Sequence, residues 1–144
     1  NEIQEVFNSY LALKNALVKD DFEAAKKHLK TVENKIEAVD VSAIQASAAD
    51  AVENYKTRLQ AKLSVMTASE DISALRTGFI DFSAEIIRMA KSLKPFSEQI
   101  YIQHCPMANN DKGADWLSLS EEIRNPYYGS AMLSCGEVTG VIED

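Results

Sequence analysis

The placement of proline and glycine is the feature that most constrains the fold of this chain. Residues 1–94 contain one glycine and no proline, whereas all three prolines and four of the five glycines follow Lys94. Because proline breaks helices and glycine weakens them, only the first segment can form long, uninterrupted helices. We therefore expect a helical body over 1–94 and a structurally different tail over 95–144. The length of 144 residues suits a single domain that contains both.

Apolar residues in the first segment recur every three or four positions, which is typical of amphipathic helices. The spacing predicts four helices, near residues 2–19, 21–39, 42–64 and 69–94. Asp20, Ser42 and Thr67 each precede an acid or glutamine by three residues and are predicted to cap the last three helices. Pro95 is expected to end the fourth helix. Short connections make neighbouring helices antiparallel, so we predict a mainly α fold with an up-down-up-down four-helix bundle.

The tail is predicted to form a β-hairpin. Residues 99–103 alternate polar and apolar side chains, which is typical of a short strand, and its partner is expected over 131–138. Between them, residues 108–130 are expected to form a long ordered loop. Loops of this length in small domains are usually functional or packed by their own aromatic side chains. Trp116, Tyr127 and Tyr128 are therefore expected either to pack on the bundle or to form an exposed interaction surface.

Charge and motifs exclude several classes of function. The chain has 22 acidic and 15 basic residues, a formal charge of -7, and no basic run that would bind nucleic acid. No apolar run reaches the ~18 residues that span a membrane, so direct membrane insertion is not expected. No catalytic Ser-His-acid arrangement and no phosphate-binding glycine loop stands out. We therefore predict that the protein is not an enzyme.

Two short segments of the tail contain donor atoms that bind soft metal ions. Cys105 and Cys135 carry thiols, Met107 and Met132 carry thioethers, and His104 carries an imidazole. Sulfur donors favour Cu(I) and similar ions over Mg²⁺ or Ca²⁺. In an extended strand His104 projects to the face opposite Cys105. If the two segments pair, the cysteine sulfurs are expected to lie close together, forming a site for Cu(I) or another soft metal ion.

A disulfide explains the same two cysteines without a metal. Two cysteines and no others are the pattern of one structural crosslink, which would be worth roughly 3–4 kcal/mol here. Met107 and Met132 would then fill apolar space. In this alternative the tail is a protein-interaction module that binds through its aromatic residues, and the residues alone leave both interpretations open.

Several motifs resemble a bacterial family known as the domain of unknown function 3347. They are Tyr10–Leu17, Asp20–Ala25, Tyr101–Met107, Trp116–Ser118, Ile123–Gly129 and Met132–Gly136. Members occur alone in exported proteins, mainly of Bacteroidetes, and are also fused to CusB-like membrane-fusion adaptors of heavy-metal efflux pumps. The family has no established activity, and this chain lacks the hairpin and barrel segments of an adaptor.

The resemblance implies a periplasmic or otherwise exported location and a link to copper or related metals. It also implies a heavy-metal efflux adaptor or a metallochaperone as partner. Cys105, Met107, Met132 and Cys135 match motif positions of the family, with His104 alongside. The function expected from sequence is therefore a non-enzymatic, exported soft-metal-binding or metal-efflux accessory domain.

Overall fold

The computed structural model describes residues 1–143 and contains four helices followed by a small sheet. The helices are α1 (Glu2–Val18), α2 (Phe22–Glu37), α3 (Ala46–Thr67) and α4 (Ile72–Leu93). The strands are β1 (Ile100–Cys105), β2 (Ala114–Ser118) and β3 (Glu137–Ile142). Consecutive helices pack against each other, and α1 also contacts α4. The predicted mainly α, four-helix architecture is confirmed.

Aspartate and asparagine caps set where most of the helices begin. In three of them the cap side chain accepts a hydrogen bond from the backbone three residues on; these caps are Asn1, Asp21 and Asp71. The helix α3 follows Gln45 without a side-chain cap. The predicted caps Asp20, Ser42 and Thr67 were therefore wrong by one to four residues, although the helices themselves were placed correctly. The fourth helix ends at Leu93, just before Pro95, as predicted.

The sheet differs from the predicted hairpin. Its order is β2–β1–β3, and both pairs are antiparallel. Residues 131–136 form a 3₁₀ turn and irregular backbone, so the predicted strand over 131–135 was wrong and the third strand begins only at Glu137. The predicted loop over 108–130 contains β2. The central strand β1 thus finds a hydrogen-bonding partner on each side, which a single hairpin could not provide.

One core extends from the helices into the tail. Tyr10 stacks on Phe79 with ring centroids 5.4 Å apart, Phe79 contacts Tyr127 at 5.7 Å, and Tyr127 contacts Trp116 at 5.9 Å. We call these four residues the aromatic row. The Tyr10 hydroxyl also accepts a hydrogen bond from Leu117 N at 3.2 Å, which ties α1 directly to β2. None of the helices in residues 1–143 has the length and hydropathy needed to cross a bilayer.

Candidate metal centre

Two free thiols meet where β1 ends and β3 begins. The Sγ atoms of Cys105 and Cys135 are 3.4 Å apart. Cys105 is the last residue of β1, and Cys135 lies two residues before β3. The register that pairs His104 with Glu137 brings the two cysteines together. The expectation that these sulfurs lie close is confirmed, although β3 starts later than predicted.

Gly136 lets the chain turn from Cys135 into β3 at close range. Its φ of 139° is one that residues with a side chain rarely adopt. A Cβ atom at this position would lie 2.7 Å from the carbonyl oxygen of His104, closer than any real contact. Glycine at position 136 therefore permits the close approach that places Cys135 beside Cys105.

Asn125 holds the segment that carries Cys135. This side chain is fully buried, and its Nδ2 donates to the carbonyl of Cys135 at 2.8 Å. Its Oδ1 accepts from the backbone N–H groups of Tyr127 at 2.8 Å and Tyr128 at 3.2 Å, and its own N–H donates to Leu133 O at 2.8 Å. The sequence placed this asparagine in the predicted loop over 108–130 but did not indicate that it positions a cysteine. Asparagine at the start of an Asn-Pro turn was the available signal.

The two thiols differ in access and share a polar contact. Cys105 has no exposed surface, whereas Cys135 is half-buried. The hydrogen bond with Cys105, together with burial, raises the pKa of Cys135 above its ordinary value. Burial likewise raises the pKa of Tyr128, and negative charge on either cysteine raises it further. The Tyr128 ring thus lies within electrostatic range of both thiols.

The two methionines lie on the chain segments that flank the thiols. Met132 belongs to the turn before Cys135, and its carbonyl accepts a hydrogen bond from Cys135 N at 3.1 Å. Met107 follows β1, is 46% exposed, and its carbonyl accepts from the Tyr128 hydroxyl at 2.8 Å. The segment after Met107 is unusual because Asn109, Asn110 and Asp111 all have positive φ. Asn and Asp tolerate this left-handed backbone better than most residues.

His104 faces away from the thiols, as strand alternation requires. Its Nδ1 is hydrogen-bonded to Asp115 Oδ1 at 2.6 Å. Its ring also packs on Gly113, where an added Cβ would meet His104 Cε1 at 2.4 Å. The imidazole that was predicted as a further ligand beside the thiols is thus paired with Asp115. Within residues 1–143 no group of three or more His, Cys, Asp or Glu side chains is arranged to hold a metal ion.

The aromatic side chains of the tail mostly fill the core. Trp116 is fully buried and its Nε1 donates to Gln103 Oε1 at 2.7 Å. Tyr127 is 8% exposed, and its hydroxyl donates to the carbonyl of Asp115 at 2.7 Å. Of the two predicted alternatives, packing on the bundle is confirmed for Trp116 and Tyr127, and the exposed interaction surface is wrong for these two residues. Their rings join the tail to the bundle, and only Tyr128 remains half-buried.

The fold and the site define a class: a four-helix domain with a small antiparallel sheet and a thiol pair at one end of the sheet. The family model described as "Protein of unknown function (DUF3347)" matches residues 6–98, and the chain belongs to this family. The matched residues include most of the helical body and end before β1, so both cysteines lie outside them. A search of curated proteins found no match, and neither did a search of solved structures.

Proposed function

We propose that this chain is a non-enzymatic, exported domain that binds Cu(I) or a similar soft ion through Cys105 and Cys135. The observation that carries the proposal is the 3.4 Å separation of their sulfurs. Two zinc–sulfur bonds of about 2.3 Å, taken here as a guide for an ion of similar size, separate two sulfurs by about 3.8 Å at a tetrahedral angle. The thiols therefore need to move apart by only about 0.4 Å to share an ion. Thiolates are the ligands that Cu(I) prefers over oxygen donors.

Thioethers are the natural additional ligands. Met132 shares a turn with Cys135, and Met107 follows Cys105 by two residues. Met107 is exposed, so its flexible side chain can change position without disrupting the core. The full burial of Cys105 limits the access of water to the ion. The proposed ligand set is Cys105 and Cys135 with Met107 and Met132, and without His104.

An exported location and an efflux partner are proposed on the resemblance of the sequence. Related domains are fused to heavy-metal efflux adaptors, so this domain would sequester the ion or deliver it to such an adaptor or to a metallochaperone. Metal binding must displace thiol protons, and the pKa of Cys135 is raised. The apparent affinity is therefore expected to increase with pH over the range in which Cys135 still holds its proton.

A competition titration tests the proposal. Reduced protein is titrated with Cu(I) against a chromophoric Cu(I) chelator, beside a Cys105→Ser/Cys135→Ser double variant and a Met107→Leu/Met132→Leu double variant. We expect the cysteine variant to lose binding and the methionine variant to be weakened. His104→Gln is the matched control, because this residue neighbours Cys105 in sequence but faces away from it, and it should bind as the wild type does.

Circular dichroism of each variant checks that a loss of copper binding does not result from a loss of folding. Equal copper retention by the wild type and the folded cysteine double variant would refute the proposal. Binding that depends on His104 as strongly as on the cysteines would refute the ligand set.

A further inference from the structure

The two thiols are in contact but only one of them reaches solvent. Cys105 is fully buried in β1, where its backbone pairs with Ala114 of β2. Cys135 is half-buried and lies in irregular backbone outside the sheet. This asymmetry is independent of any metal. Thiol–disulfide exchange proceeds through a mixed disulfide, and this arrangement suits it because the accessible thiol can meet the co-reactant and the buried thiol beside it can complete the reaction.

We infer that the pair is a thiol–disulfide exchange site in which Cys135 attacks a small-molecule disulfide and Cys105 resolves the mixed disulfide. This inference does not depend on the proposed metal binding.

The chemistry proceeds in two balanced steps. First, the Cys135 thiolate attacks one sulfur of the small disulfide RSSR, forming Cys135–S–S–R and releasing RS⁻. Then the Cys105 thiolate attacks the Cys135 sulfur, forming the Cys105–Cys135 disulfide and releasing a second RS⁻. The two cysteines are oxidised by two electrons, and the small disulfide is reduced to two thiols. Two molecules of the small thiol reverse both steps, which reduces the protein disulfide and forms RSSR again.

The geometry favours the second step. The sulfurs are 3.4 Å apart, and a disulfide bond is about 2.05 Å long, so they must approach by about 1.4 Å. Cys105 is fixed in the central strand of the sheet, so the movement falls on Cys135. Its segment lies in irregular backbone outside the sheet, where Asn125 Nδ2 donates to the Cys135 carbonyl at 2.8 Å and Cys135 N donates to Met132 O at 3.1 Å. Because Cys105 already lies in contact, the mixed disulfide is resolved before it accumulates.

The experiment separates the roles of the two cysteines. Reduced, metal-free protein in the presence of a chelator is treated with oxidised glutathione, and intact masses are followed over time. The wild type should lose two hydrogens without a lasting adduct. Cys105→Ser should gain one glutathionyl group, trapped because the resolving thiol is absent. Cys135→Ser should react more slowly than Cys105→Ser, by on the order of tenfold or more, because Cys105 is buried.

Denaturation provides the control. In concentrated urea both single variants should react at similar rates, since unfolding exposes either thiol equally. If Cys135→Ser proves unstable, Cys135→Ala replaces it, and circular dichroism checks each variant. The inference is overturned if folded Cys135→Ser reacts as fast as Cys105→Ser, or if the wild type gains a stable adduct or does not react. Because no copper is present, these outcomes are independent of the metal titration.

Discussion

Asp20 ties the end of α1 to both α4 and the tail, and it offers the sharpest test of the fold. It has a left-handed backbone with φ of 59°. Its Oδ1 accepts from Arg76 Nη2 at 2.7 Å, and its Oδ2 accepts from the N–H of Ser130 at 3.0 Å and its hydroxyl at 2.6 Å. Arg76 also donates to the carbonyls of Leu17 at 2.6 Å and Pro126 at 2.8 Å. Because of these contacts, we expect the negative charge of Asp20 to make a measurable contribution to the free energy of unfolding.

The size of that stability follows from proton linkage. The hydrogen bond from Arg76, followed by those from Ser130, lowers the pKa of Asp20 from 3.8 to about 2. A lowered folded-state pKa stabilises the protein above pH 3.8, and this contribution is lost as the pH falls through about 2. Lowering the pKa of Asp20 from 3.8 to about 2 corresponds to about 2.4 kcal/mol of folding free energy. The carboxylate is 37% exposed, so solvent screening reduces the contribution to about 1 kcal/mol.

The perturbation is Asp20→Asn, measured by urea unfolding with circular dichroism from pH 6 down to pH 2. We expect the free energy of unfolding to fall by about 1 kcal/mol at pH 6, and the difference from wild type to shrink below pH 4. Asp50→Asn, which changes an exposed aspartate on α3, is the control and should cost less than about 0.5 kcal/mol. A difference that stays constant across the whole pH range would refute the reasoning, as would no difference at pH 6.

Substitutions at two further positions test the tail, and all three variants are read out by urea unfolding. Gln103→Leu should lower the free energy of unfolding by about 2–4 kcal/mol, because it removes the partners of Trp116 Nε1 and of the Ser120 carbonyl. A loss below about 1 kcal/mol would contradict that network. Asn110→Gly should leave stability within about 0.5 kcal/mol, whereas Asn110→Val should cost about 1–2 kcal/mol because φ is 54° there. Equal stability of the two variants would show that this backbone is not left-handed.

The helical body could be predicted because its signal is local. Apolar spacing and the absence of proline over 1–94 are enough to define four amphipathic segments, and all four were placed correctly. The capping residues were harder to predict than the helices, because Asp20 and Asp21 are adjacent and both are suitable N-caps. Asp21 caps α2, while Asp20 takes a left-handed backbone and binds Arg76, 56 residues away. No local pattern could distinguish the two.

The tail was predicted only in part because its structure depends on long-range partners. β1 was recognised from its alternation, and the proximity of Cys105 to Cys135 followed from strand pairing. The strand β2 was missed because Asp115 and the flanking serine suggest a loop. It is stabilised by backbone pairing with β1 and by the hydrogen bond from Trp116 to Gln103. The strand β3 was predicted to begin too early, because the apolar residues 131–133 suggested a strand, whereas residues 131–136 form a 3₁₀ turn and irregular backbone.

The aromatic row has a consequence for how the buried thiol meets oxidants. Since Tyr10, Phe79, Tyr127 and Trp116 form one continuous set of ring contacts, the sheet cannot separate from the helices without disrupting the core of both. Exposure of Cys105 then requires the cooperative opening of the molecule. A domain with about 5 kcal/mol of stability is open in about one molecule in five thousand. Chemical labelling of this thiol in Cys135→Ser would thus measure folding stability under native conditions, and a mutation that weakens the row would hasten the oxidation of Cys105.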